Sequence, residues 1–198
     1  MRTTTIHLLA LLPLLPAVAL ADAPPEASPV LRRGTELGER IDTRSESSGR
    51  PIPWGRATAV IDAPVDVVMA TITDYGRYKE FFPHFTQSRV LAQRGQSAIL
   101  YLEASVLKRS ATLWGELKVR SQRPEGATQI LKVELVRGNI ERFDARWEVT
   151  PLPNGRTLVD FRLLVDPDLP IPDGLIGTQN RKGAGKTLAA LRKRVTVR

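Results

Sequence analysis

Residues Asp62 to Leu91 constrain the fold more tightly than any other stretch of this chain. Ala57, Ala59 and Ile61 alternate with Thr58, Val60 and Asp62, the period of a strand that starts near Trp54 and ends at Ala63. Pro64 then opens a helix at the position where a missing N–H costs nothing. That helix runs to Thr73 and sets Val67, Val68, Thr71 and Ile72 along one side. Asp74-Tyr75-Gly76 ends it, and Tyr78, Phe81, Phe82 and Phe85 cluster around Pro83 in a second, short helical turn.

Six further strands follow, at 88–92, 98–107, 111–121, 128–136, 141–150 and 157–165. The breaks between them carry the Gly, Pro or Asn that a hairpin turn needs, among them Arg94-Gly95-Gln96, Pro124-Glu125-Gly126 and Pro153-Asn154-Gly155. Phe143, Ala145, Trp147 and Val149 share one face against Asp144, Arg146 and Glu148. Val159, Phe161, Leu163 and Val165 do the same against Asp160 and Arg162. This is the pattern of an antiparallel sheet with one wet face and one covered face. The cover is a last helix from Leu175 to about Val195, with Ile176, Gly183, Thr187, Ala190, Leu191 and Val195 near one side. Gly183 and Gly185 lie inside it, each costing about 1 kcal/mol relative to Ala. Close approach to the sheet and room for a ligand would each account for them.

The chain of 198 residues suffices for one well-buried domain, expected at 54–198. Met1-Arg2, an apolar run from Ile6 to Leu20 and Ala19-Leu20-Ala21 read as a cleaved secretory signal peptide, residues 1–21. The alternative, a membrane anchor, needs about 20 apolar residues, and Pro13 and Pro16 interrupt this shorter run. The expected location is therefore periplasmic or secreted. Residues 22–53 read as a flexible leader in which Glu39–Arg44 and the Ser47-Ser48-Gly49 turn form either an edge hairpin or no structure. With no cysteine, an exported chain relies on core burial alone. Thiol nucleophiles, thiolate metal sites and a lipidated N-terminal cysteine are also excluded. The net charge of +8 suits nucleic acid, an anionic membrane surface or an acidic ligand; export removes the first. Cations close to the end of the last helix favour its dipole and leave a transient contact with a membrane surface open.

Catalytic chemistry is not evident. Gly183-Ala184-Gly185-Lys186-Thr187 suggests a phosphate loop, but Asn180 stands where that motif needs glycine and no buried parallel strand precedes it. His84 lacks companions at metal-ligand spacing; it is either a polar group or general base at a pocket entrance or a surface or capping histidine. Tyr101 and Glu103 share a strand face opposite Leu100 and Leu102; Glu103 is either a solvated charge on an outward face, the expected arrangement, or an inward carboxylate whose pKa an apolar pocket would raise. Asp160 and Asp166 are the other acid/base candidates, and Trp114 is expected outside. No catalytic residue, metal ligand or cofactor is assigned.

The order strand, two short helices, six strands, long helix resembles the START/polyketide-cyclase (SRPBCC) superfamily over about Trp54 to Val195. The branch most similar is the coenzyme-Q-binding-protein START-like or polyketide cyclase/dehydrase-like one. The most specific segments are Ala63-Pro64 to Leu91, Arg146-Trp147-Glu148-Val149-Thr150-Pro151 and Asn154-Gly155-Arg156-Thr157. Met69 stands where such helices often carry Trp, and Lys79 where a Pro often precedes the Glu-Phe pair. The resemblance implies an α+β helix-grip fold, a curved antiparallel sheet wrapped around the long C-terminal helix. It also implies an apolar cavity between sheet and helix. The ligand-contacting residues expected on the sheet side and aromatic turn are Phe81, Phe82, Phe85, Phe143, Trp147, Phe161 and Leu163. On the last helix they are Ile176, Gln179 and Gly183. The expected function is binding or carriage of a lipid-, quinone- or polyketide-like molecule in the cell envelope, without nucleic acid. Two alternatives stand beside it: a cyclase or dehydrase on a polyketide-like substrate, and an interaction module whose pocket is filled by its own side chains.

Overall fold

The computed structural model describes residues 29–106 and 111–196. The expected signal peptide, the first part of the expected leader, residues 107–110 and residues 197–198 lie outside the described residues. The elements are α1 (Pro29–Leu37), β1 (Ile41–Glu46), β2 (Trp54–Ile61), α2 (Val65–Ile72), a 3-10 turn (Tyr75–Arg77), α3 (Tyr78–Phe81), β3 (Phe85–Arg94), β4 (Ser97–Val106), β5 (Ala111–Glu125), β6 (Thr128–Gly138), β7 (Arg142–Leu152), β8 (Arg156–Asp166) and α4 (Asp173–Thr196). The strands form one eight-stranded sheet in the order β1-β2-β8-β7-β6-β5-β4-β3. Every pairing is antiparallel. This is the α+β helix-grip fold: a curved sheet whose concave face receives α4.

Topology explains the short helices. β2 lies near one edge of the sheet and β3 forms the other, so the chain between them must cross the concave side. α2, the 3-10 turn and α3 make that crossing. Pro64 caps α2 and its carbonyl accepts the Val68 N–H at 3.1 Å. Val68, Met69, Thr71 and Ile72 are buried, and Val67 only half so. Met69 fills the position where tryptophan is common in the resembling family, as a flexible core side chain.

α4 lies on β1, β2 and β8. Its buried stripe is Ile176, Gly177, Asn180, Ala184, Leu188, Leu191 and Val195. Gly183, Thr187 and Ala190, expected on that stripe, are half-buried on its flank. The reason is how closely the helix seats. A Cβ on Gly55 would lie 2.1 Å from the Asn180 carbonyl carbon, and one on Gly177 would lie 2.4 Å from Pro53 Cγ. With Gly55 against the Asn180 backbone and Gly177 against Pro53, the helix sits so that Asn180 and Ala184 face inward. The Asn180 side chain accepts a bond from Val165 N at 3.2 Å and donates to Val165 O and Pro53 O, satisfying backbone that the sheet leaves unpaired.

Residues 29–37, part of the expected flexible leader, form α1 on the convex face. Val30 and Leu37 pack on Val60, Leu152 and Leu158. Arg33 donates to Thr58 Oγ1 at 2.9 Å and lies 3.4 Å from Asp160. Asp160 is only 6% exposed although it belongs to the wet face, because α1 covers it. Arg56 holds its carboxylate through two bonds of 2.8 and 2.9 Å, and Thr58 adds a third. Burial alone would lower the Arg56 pKa, but the hydrogen bond and charge of Asp160, helped by Glu46, raise it instead. β1 pairs with β2 as the edge strand beside this network.

Candidate ligand-binding site

The concave face of the sheet is mostly apolar, with Thr43, Ser88, Ser121 and Gln129 among its few polar positions, and strand register places its residues in rows. In the deepest row Leu131, Trp147, Phe161 and Ala57 are cross-strand neighbours. Trp147 and Phe161 meet with ring centroids 4.0 Å apart and are each 4% exposed. Val149, Val159 and Leu188 are fully buried around them. These side chains all belong to the main buried core, where they pack on one another.

The rows nearer the open end differ. Phe85, Ala104, Leu113, Leu135, Phe143 and Leu163 come from β3, β4, β5, β6, β7 and β8 in turn, all facing inward and all half-buried. Phe85, Ala104 and Leu113 are cross-strand neighbours, while Leu135 stands opposite Leu117 and Leu163 opposite Ala145, so the six form a stepped band across the sheet beside the buried core. Gly183 of α4 closes the band: a Cβ there would come 3.3 Å from Leu163 Cδ2. Gly185 points elsewhere, with Thr43 Cγ2 2.9 Å from its Cβ position. Both helix glycines thus answer to close approach; only Gly183 also borders the open band.

An aromatic cap stands over this end. Tyr78 contacts Phe81, Phe82 and Phe85 at centroid distances of 5.8, 4.8 and 6.1 Å, and Phe81 meets Phe82 at 4.5 Å. The cap is held by polar pins. Tyr78 Oη donates to Ile72 O at 2.5 Å, Tyr75 Oη to Gln96 O at 2.8 Å, and Ser88 Oγ to Gly76 O at 2.9 Å. Burial pushes the Tyr75 hydroxyl up to about 12. Burial likewise raises Tyr78 well above its usual range, with the Tyr75 and Asp74 charges adding to it. Both stay neutral donors at any physiological pH. His84 follows the cap, half-buried, with its Nε2 unpartnered. Burial first, then the charge of Lys186, lowers its pKa below the ordinary value, which favours the neutral imidazole.

Of the residues expected to touch ligand, Phe81, Phe85, Phe143, Leu163 and Gly183 are half-buried around the band and cap. Phe82, Trp147, Phe161 and Ile176 are buried in the core. Gln179 is exposed, because it lies on the α4 side opposite Asn180 and Ala184. Ala104, Leu113 and Leu135 complete the band. Their alternation was visible in the sequence, but a strand's half-exposure depends on which neighbours stop short of it.

The ionisable candidates do not converge inside. Tyr101, Glu103 and Trp114 share the convex face, where Tyr101 Oη donates to Glu103 at 3.2 Å and stacks on Trp114 at 6.1 Å. Arg89 lies over the same tyrosine, 4.7 Å from its centroid. Asp160 is locked beneath α1, and Asp166 accepts the Asp168 N–H at 3.3 Å. Among the described residues no cluster of His, Asp and Glu could hold a metal ion, and no helix is long and apolar enough to cross a membrane. Two clefts open elsewhere, of about 640 Å³ between α1 and β1 and about 240 Å³ beside Ile52 and Leu164.

An antiparallel sheet gripping a long helix, with an apolar concave face and an aromatic cap, defines a helix-grip binding fold. The chain belongs to the polyketide cyclase / dehydrase and lipid transport family, whose profile matches residues 61–192. Solved structures share its fold. A STAR-related lipid transfer protein from Xanthomonas axonopodis is 20% identical with a TM-score of 0.69, over 79% of this chain and 92% of that one. A START superfamily protein from Mycobacterium smegmatis is 19% identical with a TM-score of 0.64, over 72% and 97%. The Zhui aromatase/cyclase from Streptomyces sp. R1128 is 15% identical with a TM-score of 0.55, over 73% and 95%. No curated protein matches the sequence.

Proposed function

We propose that this protein binds a hydrophobic small molecule, lipid-, quinone- or polyketide-like, at the open end of the concave face and carries it in the cell envelope. The observation that carries this reading is the band of six half-buried apolar side chains from six successive strands. Apolar surface in that position gains about 25 cal/mol per Å² when a ligand covers it. The ligand seats against Phe143, Leu135 and Leu163, and deeper insertion requires the Tyr78–Phe85 cap to move, since Trp147 and Phe161 close the interior. Carriage is favoured over cyclase or dehydrase chemistry because the carboxylates lie on the convex face, away from the band. The relatives named for lipid transfer and for aromatase/cyclase activity support the hydrophobic class of ligand and not a choice within it. A second reading is favoured by the Trp147–Phe161 contact: a domain with a permanently filled interior that acts through its surface.

The envelope part of the proposal rests on the signal-like residues 1–21. Fused to a reporter, they should take it out of the cytoplasm, and the exported protein should begin at Asp22. An uncleaved Met1 in the membrane fraction would make the segment an anchor. Binding is tested with a fluorescent fatty-acid probe on folded variants. Phe143→Glu, on the band, should abolish probe uptake. Lys118→Glu, on the convex face, should leave it intact. Equal effects of the two changes, or no uptake by the unsubstituted protein, would favour the filled-interior reading.

A further inference from the structure

The cleft between α1 and β1 measures about 640 Å³, within the range of about 300–1,000 Å³ that small-molecule sites occupy. It opens on the convex face, across the sheet from the apolar band. α1 sits over Val60, Leu152 and Leu158 of β2, β7 and β8, and the edge strand β1 lies beside it. On α1 the wall is Arg32, Arg33 and Glu36, which share one helical face at spacings of three and four. On β1 it is Asp42 and Arg44, which alternate with Ile41 and Thr43, residues turned to the core and to α4. Gly38, at a φ of +51°, turns the chain between the two walls. Arg40 folds back there and donates to Glu36 O at 3.0 Å. Four arginines thus line one cleft with two carboxylates. Arg33 is committed to Thr58 and Asp160. Arg32, Arg40 and Arg44 are exposed and take part in none of the ion pairs among the described residues, and neither do Glu36 and Asp42. Opposite charges therefore line the same space without reaching each other. Elsewhere on the convex face they meet directly, as in Lys132–Glu134, Arg142–Asp144 and Arg146–Glu148.

We propose that this cleft binds a small, water-soluble phosphate monoester that also carries hydroxyl groups, of the sugar-phosphate kind. Each guanidinium presents a planar fork of donors that matches phosphate oxygens. Three such forks without a carboxylate partner, set on both walls, suit a dianion with three terminal oxygens better than a lone carboxylate. The surplus of arginine over carboxylate gives the cleft a positive field that draws the anion in. Glu36 and Asp42, when ionised, are acceptors only. They repel a bare anion and accept from hydroxyl groups, so a ligand with phosphate at one end and hydroxyls at the other answers both kinds of side chain. The sheet separates this cleft from the band, and the proposal does not depend on a ligand being bound there.

The test is isothermal titration calorimetry of the full chain with glucose 6-phosphate in about 0.15 M NaCl, which screens loose surface attraction. Inorganic phosphate and glucose are the comparison ligands. The ester should bind most tightly, phosphate more weakly and glucose not at all. A hydrogen-bonded charge pair is worth roughly tenfold or more in affinity, so Arg32→Gln/Arg44→Gln should weaken binding of the ester by about 100-fold. The matched variant Arg94→Gln/Arg123→Gln removes the same net charge from exposed positions on the sheet and should bind as the unsubstituted chain does. Glu36→Ala/Asp42→Ala should bind phosphate more tightly and lose the preference for the ester. Absence of any heat with glucose 6-phosphate would overturn the proposal, as would equal losses in the two arginine variants, which would show that only net charge matters. A preference for the ester that survives Glu36→Ala/Asp42→Ala would overturn the pairing of hydroxyls with the carboxylates. Retention on phosphatidylglycerol vesicles without a response to glucose 6-phosphate would overturn it in favour of a lipid headgroup. Melting temperatures of the variants confirm that folded proteins are being compared. Phe143→Glu, which tests the band, should leave this titration unchanged, so the two proposals fail separately.

Discussion

Gly55→Ala probes how α4 is held. Gly55 pairs with Leu163 in the β2–β8 ladder and lies directly beneath the helix. A Cβ there would stand 2.1 Å from Asn180 C, 2.2 Å from Asn180 O and 2.3 Å from Arg181 N. Carbon contacts settle at about 3.5–4.0 Å, so strand and helix would have to separate by more than about 1 Å. All three atoms are backbone, and no rotamer change can relieve them. Retreat of the helix would also stretch the Asn180 bonds to Val165 and Pro53. Overpacking costs about 1–3 kcal/mol, and a clash of backbone on backbone belongs at the upper end. At about 2–4 °C per kcal/mol for a chain of this size, the variant should melt about 6–12 °C lower. The control is Gly174→Ala, in the first turn of the same helix, where nothing lies within 4 Å. It should be neutral or stabilising by up to about 1 kcal/mol. A Gly55→Ala protein that melts with the unsubstituted one would refute the close seating of α4.

Two further outcomes follow from polar groups. Asp160→Ala leaves Arg56 and Arg33 without their carboxylate in a covered site, and urea denaturation should report a loss of about 3–5 kcal/mol; an unchanged midpoint would mean that α1 does not bury the pair. His84 has a folded-state pKa below its ordinary value of 6.5, so the folded state favours the neutral ring. Its contribution to stability is present above the unfolded pKa and is lost as pH falls through the folded one. The imidazole proton resonance of His84 should titrate with a midpoint below 6.5, and Lys186→Gln should raise that midpoint; a midpoint above 6.5 would contradict the buried placement.

Much of the fold is legible in the sequence because the sheet has one wet face. Alternation along Phe143–Val149 and Val159–Val165 fixes which side chains face α4, and a slip of one residue would expose all of them. Pro64 and the Asp74-Tyr75-Gly76 break mark α2 for reasons local to the chain. α4 is less legible. Its buried stripe includes Asn180 and Ala184, chosen by contact with Gly55 and Pro53 far away in sequence rather than by hydrophobicity. α1 was hidden for a similar reason: its partners are far away in sequence, Val30 and Leu37 packing on Val60, Leu152 and Leu158 while Arg33 reaches a carboxylate on β8. Asp160 reads as solvated because it alternates with Phe161, and only the placement of α1 buries it. For the site, alternation identifies the apolar face. It does not say where packing ends and an open band begins. That boundary lies between Trp147 and Phe143, residues that share one strand face but differ in what covers them.

The central claim is that the band holds a hydrophobic molecule. Native mass spectrometry of the protein recovered from its own cell envelope, followed by organic extraction and mass analysis of what it releases, tests this most directly. The account predicts a discrete added mass that disappears in Phe143→Glu and matches one extracted lipid- or quinone-like compound. A protein that carries no added mass and takes up no lipid from vesicles would contradict it.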